Sequence, residues 1–305
     1  IQGAVVNNAA VEFNQADNGT YAGAMSGTGS LSKTDVGVLT LSGANTYAGG
    51  TTVSAGSLKG TSASIQGAVV NNAAVEFNQA DNGTYAGVMS GTGSLSKTDG
   101  GTLTLTGNNT YAGATTVAGG SLLVNGALAN TALTVQTGAL LGGSGSIGSG
   151  GATVAIQSGG SLSPGNSPGM LTVNGSLTLS LGSIYNYQLI SGSALADSVD
   201  VNGALTLENT TLSLTNLGTY TAKEKFTLFA YESLTGTFDG LADGTTFTAG
   251  GGDWLINYND TTGGLNNEAV GTSYVTITAV PEPSSLALLA LSSASLLFRR
   301  RAPQR

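Results

Sequence analysis

The chain contains no cysteine and no histidine. Without cysteine there is neither a disulfide framework nor a thiolate metal site. Without histidine the commonest general base and the commonest metal ligand are gone, and Ser-His-Asp and Cys-His chemistries are excluded. Charge is also scarce: only 9% of residues are charged, and the net formal charge is −8. All four arginines lie at the very end, as Arg299, Arg300, Arg301 and Arg305. Before Pro281 the only cations are Lys33, Lys59, Lys97, Lys223 and Lys225. Such an acidic, arginine-free body is a poor partner for nucleic acid, whose phosphates need Lys and Arg, or for anionic lipid.

What the chain has in quantity is glycine, 48 residues, together with Ser, Thr, Asn and Ala. Leu and Val recur at alternate positions, as in Leu39-Thr40-Leu41 and Leu103-Thr104-Leu105. Alternation of this kind is the period-two signature of a half-buried strand. Disordered segments lack regularly spaced aliphatic residues, so the composition reads as an ordered, turn-rich β array. Thr51-Thr52-Val53 and Val5-Val6 are further β-branched strand pieces.

The chain repeats itself. The segment beginning at Ile1 recurs from Ile65, and up to Asp35 and Asp99 the copies differ only at Ala24 and Val88. They part after Leu58 and Leu122. A unit that can be duplicated without loss of the fold is how a solenoid behaves. Within each copy runs Gly-x-Leu-Thr-Leu-x-Gly-x-Asn-Thr-Tyr-Ala-Gly-x-Thr-Thr-Val-x-x-Gly-Ser-Leu, over 37–58 and 101–122. This motif resembles the autotransporter-associated β-strand repeat found in passenger domains of bacterial surface proteins. The resemblance implies a right-handed parallel β-helix with about one coil per motif and about three coils per duplicated unit. Asn45, Asn109, Tyr47 and Tyr111 read as turn residues, in preference to stacked ladders. The strand texture continues beyond the repeats, and the aromatic-rich stretch after Lys225 is expected to cap the solenoid's open edge.

Among the carboxylates, Asp197, Asp200, Asp239, Asp243, Asp253 and Asp260 are the best catalytic candidates beyond the repeats. Asp197 and Asp200 could share a corner, and so could Asp239 and Asp243. None has a calcium-loop spacing, and surface turn residues are the favoured reading. Glu12/Glu76 and Asp17/Asp81 occur in both copies, which argues against a unique active site there. The sequence therefore predicts no enzyme, no cofactor and no metal. The alternative is a surface-displayed carbohydrate-active β-helix enzyme, a lyase or hydrolase, with an unrecognised carboxylate pair.

The end of the chain is organised differently. Pro281-Glu282-Pro283 is followed by an apolar run carrying Leu286, Leu288, Leu289, Leu291, Leu296, Leu297 and Phe298, then by Arg299, Arg300 and Arg301. The two prolines favour extended backbone, the form in which processing enzymes bind substrate. As a helix, 284–298 would reach about 22 Å, short of the ~30 Å of a bilayer core. The arginines place the C-terminus in the cytoplasm by the positive-inside rule.

This arrangement resembles the PEP-CTERM sorting signal of Gram-negative and related bacteria. The resemblance implies membrane retention and processing by an exosortase-type enzyme near Pro281, Glu282 and Pro283. It implies an exported protein that passes through the inner membrane to the cell surface or extracellular matrix. Adhesion and association with exopolysaccharide or cell-surface glycans fit that role. A passenger-type export route would need a long C-terminal barrel, where this chain has one apolar segment. No signal peptide is visible, and Ile1 lies inside a repeated unit, so the chain reads as part of a longer precursor. The expected organisation is two solenoid units at 1–64 and 65–126, a continuing solenoid with its cap at 127–280, and a sorting segment at 281–305. The fold expected is all-β, a parallel β-solenoid with a C-terminal β cap followed by one short hydrophobic helix.

Overall fold

A computed structural model of the chain describes residues 3–129, 132–165, 168–266 and 273–281. The expected C-terminal helix lies outside these residues. Among the described residues there is no helix; strands wind into a parallel solenoid with three faces. Each strand pairs with the one a coil later, as in the column Val11↔Leu31↔Thr51↔Val69↔Met89.

The first face is built from Ala10–Phe13, Ser30–Lys33, Thr51–Val53, Val69–Asn71 and Met89–Ser90. The second runs from Gly19–Tyr21 through Val38–Leu41, Ser57–Gly60, Ala74–Asn78, Ser94–Thr98, Thr115–Val117 and Leu133–Val135. The third starts with Val5–Val6 and Met25–Ser26 and resumes at Gly83–Tyr85, Thr102–Leu105 and Ser121–Val124. Between them it is bridged at Asn45 and Ser64.

The duplicated unit does not stack in phase. Ala10–Phe13 lies on the first face, but its copy Ala74–Asn78 lies on the second. Gly19–Tyr21 is on the second face and Gly83–Tyr85 on the third. Val5–Val6 is on the third, whereas Val69–Asn71 is on the first. One duplicated unit is thus three coils and one further face, in keeping with the expected three or so. The cause is coil length. Three coils from Val5, through Met25 and Asn45, reach only Ser64, and Val69, the copy of Val5, comes one face later.

Alternation decides what enters the core. Along the second face Leu39, Leu58, Val75, Leu95, Thr115, Leu133, Val154, Leu177 and Leu205 stack inward, all but excluded from solvent. Full burial of each such leucine contributes about 1.5–3 kcal/mol. Thr115 is the polar member, and its hydroxyl meets the Tyr111 hydroxyl at 2.6 Å, so neither buried group is left alone. Tyr47 and Thr51 repeat this pairing at 2.6 Å. The motif glycines Gly56 and Gly120 have φ of +68° and +59°. A Cβ there would also lie 2.4 and 2.3 Å from the carbonyls of Gly37 and Gly101 in the preceding coil.

Towards the C-terminus the coils lengthen. Leu133 is followed on its face by Val154, whereas the longer coil after Leu205 returns to that face only at Leu234. A wider interior needs larger side chains to stay close-packed. Tyr185, Phe229, Phe238 and Tyr258 supply them, with Tyr185 and Phe229 centroids 4.5 Å apart. The strand Lys225–Phe238 is both the last parallel rung, on Ser198–Asn216, and the first antiparallel one, against Ser273–Ala279. Gly252–Asp260 and Thr246–Ala249 complete the antiparallel cap. The change of direction covers an edge that would otherwise recruit other strands.

Candidate functional site at the cap and chain exit

The favoured reading of the six aspartates as surface turn residues fails for Asp197 and Asp200, which are buried. Asp197 lies immediately before the strand Ser198–Asn216 and Asp200 within it, so the two do not share a corner. Both are buried, and no hydrogen bond joins them. Asp197 accepts the backbone N–H groups of Gly169 and Gln188, each at 3.0 Å. Burial pushes its carboxyl up to about 7, against the pull of those two donors. Asp200 is flanked by Thr172 and Ala230, with Tyr274 beyond Ala230. One of its carboxyl oxygens has no hydrogen-bond partner, and burial raises its pKa. A working carboxylate pair flanks an open cleft, which these two do not.

Asp243 accepts the Tyr258 N–H at 2.9 Å, and Asp253 accepts the Thr248 hydroxyl at 2.5 Å. Asp260 is bound by Lys225 at 3.0 Å, by the Thr276 hydroxyl at 2.9 Å and by the Thr262 N–H and hydroxyl, both at 3.0 Å. Burial would raise its carboxyl, but these donors together hold it down at about 2. Asp239 keeps its backbone in the sheet through Thr210. Among the described residues no group of three or more acidic side chains is arranged to hold a metal ion.

The two lysines of the repeat stand inside the solenoid. Lys33 and Lys97 are fully buried. The Lys97 ammonium donates to the carbonyls of Thr98 at 2.7 Å, Asp99 at 2.9 Å, Gly119 at 3.1 Å and Gln79 at 3.5 Å. Lys33 donates to the carbonyls of Asp35 and Ala55. Burial lowers both pKa values, opposed by the neighbouring Asp99 and Asp35. Sequence reasoning counted these residues only as cations. The signal that finds them is parity: Leu31 and Lys33, like Leu95 and Lys97, share one face of a strand.

The repeat asparagines also turn inward. Asn109 Oδ1 accepts the Met89 N–H at 2.9 Å while Nδ2 donates to Gly107 and Ala127. Asn45 does the same between Met25 and Ser64. Asn45 lies outside the strands, as a turn residue would, but Asn109 sits in the strand Asn108–Asn109, paired with Ala127–Leu128, so the turn reading fails for it; each side chain joins three coils.

The chain leaves the fold at the end of Ser273–Ala279. Val280 donates its N–H to the Asp253 carbonyl at 2.8 Å, and the Tyr220 hydroxyl donates to the Val280 carbonyl. Pro281 follows at once and is exposed. Of the expected sorting residues only Pro281 is among the described residues. Glu282, Pro283, the apolar run from Leu286 to Phe298 and Arg299 to Arg301 lie outside them. No helix of the described residues is long and apolar enough to cross a membrane.

Comparison with known proteins agrees with this geometry. The Passenger-associated-transport-repeat family matches residues 31–59 and 95–124. The PEP-CTERM protein-sorting motif matches residues 279–301, beginning on the last residue of the final cap strand. The chain is 46% identical over 211 residues to the protein named "Adhesin BmaC autotransporter" of Brucella suis biovar 1 (strain 1330). That match covers 65% of this chain and 6% of the relative, so the chain corresponds to a small part of that protein's length. These matches indicate an exported protein of the cell-surface type. The chain is a parallel β-solenoid built on passenger-associated-transport-repeats and ending in a PEP-CTERM protein-sorting motif.

Proposed function

We propose that the chain is the non-catalytic, surface-displayed solenoid of an exported protein, held in the inner membrane by its C-terminal segment until an exosortase-type enzyme processes it. The observation that carries this reading is the junction at Val280. A closed β fold ends there, and a sorting motif starts with no intervening linker. On this reading Pro281, Glu282 and Pro283 are the processing segment. The run from Leu286 to Phe298 enters the membrane, and Arg299, Arg300 and Arg301 stop it on the cytoplasmic side.

The displayed solenoid is adhesive, as the name of the relative suggests for that protein. Its second face carries an outward column of Ser96, Thr116, Thr134, Thr178, Thr206 and Thr235, interrupted by Ala155. The rungs are spaced by roughly 4.8 Å. Uncharged hydroxyls of this kind favour weak, multivalent contact with neutral glycans of a matrix over contact with anionic partners.

C-terminal mass mapping of the protein recovered from its native cell surface or medium tests the proposal. Loss of the segment beyond the Pro281–Pro283 region is the expected result. An intact Arg305 on membrane-bound protein overturns the processing step and leaves a simple tail anchor.

A further inference from the structure

The exit of the chain is a built clasp. Tyr220 sits on a segment tied to the preceding coil: the Ser191 hydroxyl donates to Glu224 at 2.5 Å and accepts the Thr221 N–H at 3.0 Å. Glu224 also takes the Gly192 N–H at 3.0 Å. The Tyr220 ring meets Trp254 edge-on, centroids 5.4 Å apart at 81°. Its other neighbour is Gly252, where a Cβ would lie 2.0 Å from ring carbons Cδ2 and Cε2. Glycine at 252 therefore makes room for this ring. From that seat the phenol reaches two carbonyls, Asp253 at 2.6 Å and Val280.

Both backbone polar groups of Val280 are consumed by these contacts. Ala279 is held as firmly, by Lys223 N–H to its carbonyl at 2.7 Å and by its own N–H to Glu224 at 2.8 Å. Pro281 has no N–H with which to continue the ladder. The backbone hydrogen bonding of the cap therefore ends at Val280.

We propose that the Tyr220–Val280 clasp is the positioning device for C-terminal processing. It sets Val280 as the last residue that a processing enzyme cannot draw out as an extended strand. An enzyme that binds its substrate extended must compete with the sheet for every residue it takes. With the clasp closed, an enzyme must break cap hydrogen bonds to take any residue before Pro281. Without the clasp, the terminal strand frays backwards from Val280. This inference rests on the processing reading above, and its physical core is tested separately from it.

The test uses full-length protein with its tail, in the parent and in Tyr220→Phe and Gly252→Ala variants. Amide hydrogen exchange is read at Ala279 and Val280, and the mature C-terminus is mapped by mass after expression in the native host. Tyr220→Phe removes only the hydroxyl. It is expected to speed exchange at the two amides about five- to tenfold, the loss of one typical hydrogen bond, with the solenoid amides unchanged. Its mature C-terminus is expected to become ragged, with products ending before Val280. Gly252→Ala displaces the ring and is expected to do the same. Unchanged exchange and a single unchanged terminus in Tyr220→Phe overturn the inference, even if Gly252→Ala shows an effect. If the parent is not processed at all, the functional proposal fails. The exchange result then still decides whether the clasp exists.

Discussion

Phe13 and Phe77 stand in identical sequence, yet they lie on different faces of the solenoid and in different environments. Phe77 is 0% exposed, between Gly60 of one coil and Lys97 of the next. Among the described residues Phe13 pairs with Lys33 alone and is partly exposed. Each ring leans on the tyrosine of its own coil, Tyr21 at 5.6 Å and Tyr85 at 5.3 Å. The side chains are the same; the coil stacked beneath them differs.

Phe77→Ala is therefore expected to cost about 3–5 kcal/mol, and Phe13→Ala about 1–2 kcal/mol, in proportion to the smaller area it buries. Solenoid stability is a sum over neighbouring coils. Hydrogen exchange in the coils around each site is thus the right measurement, since a single melting midpoint averages over all of them. Equal costs at the two positions would refute the one-sided covering of Phe13.

Asn109→Ala is expected to destabilise the coils at Met89 and Ala127 by about 1–3 kcal/mol, since buried backbone groups lose their partners. Asn109→Asp is expected to be worse. A carboxylate still accepts from Met89 but faces the carbonyls of Gly107 and Ala127 with no proton to give. Urea unfolding of the two variants, followed by exchange in 89–128, checks the order.

Lys97→Met keeps the length and apolar stem of the side chain and removes the ammonium. Four carbonyls, of Gln79, Thr98, Asp99 and Gly119, then lose a shared donor. The expected cost is about 1–3 kcal/mol, confined to the corners at 79, 98 and 119. A neutral or stabilising result would mean that desolvating the ammonium already cancels what its hydrogen bonds contribute.

Asp197 and Asp260 are expected to respond to pH in opposite senses. The folded pKa of Asp197, about 7, lies above its unfolded value. Its contribution is greatest below about pH 4 and is lost as pH rises through 7, at up to about 1.4 kcal/mol per pH unit. The folded pKa of Asp260, about 2, lies below its unfolded value. Its contribution is full above about pH 4 and disappears as pH falls towards 2. Asp197→Asn should flatten stability between pH 4 and 7, and Asp260→Asn between pH 2 and 4. Chemical denaturation across that range reads both; unchanged profiles would contradict the assigned environments.

Much of the fold was legible beforehand because its signals are local. Leu39-Thr40-Leu41 and Thr51-Thr52-Val53 announce strands by alternation and β-branching, and the motif glycines mark corners. The aromatic run after Lys225 was readable as a cap since it breaks the glycine-rich texture. The Pro-Glu-Pro segment was readable as an address for the same reason: adjacent residues carry it.

The rest depends on segments far apart in the chain. Asp197 is held by Gly169 and Gln188, and Tyr220 by Gly252, Trp254 and Val280. No spacing in the sequence predicts those meetings. Lys97 shares the parity of Leu95, but the four carbonyls that make its burial tolerable come from three successive coils.

Alternation, corner residues and the duplicated unit are properties of neighbouring residues, so the sequence by itself determined that this chain is a repetitive β array with a separate C-terminal segment. Which face each copy of a strand occupies was decided only by the tertiary structure. Face assignment is the accumulated remainder of every coil length before it, so a coil as short as the one from Thr51 to Val69 turns all that follows. Among the described residues Val75 and Phe77 are covered by a paired strand on each side, whereas Val11 and Phe13 are covered by one only.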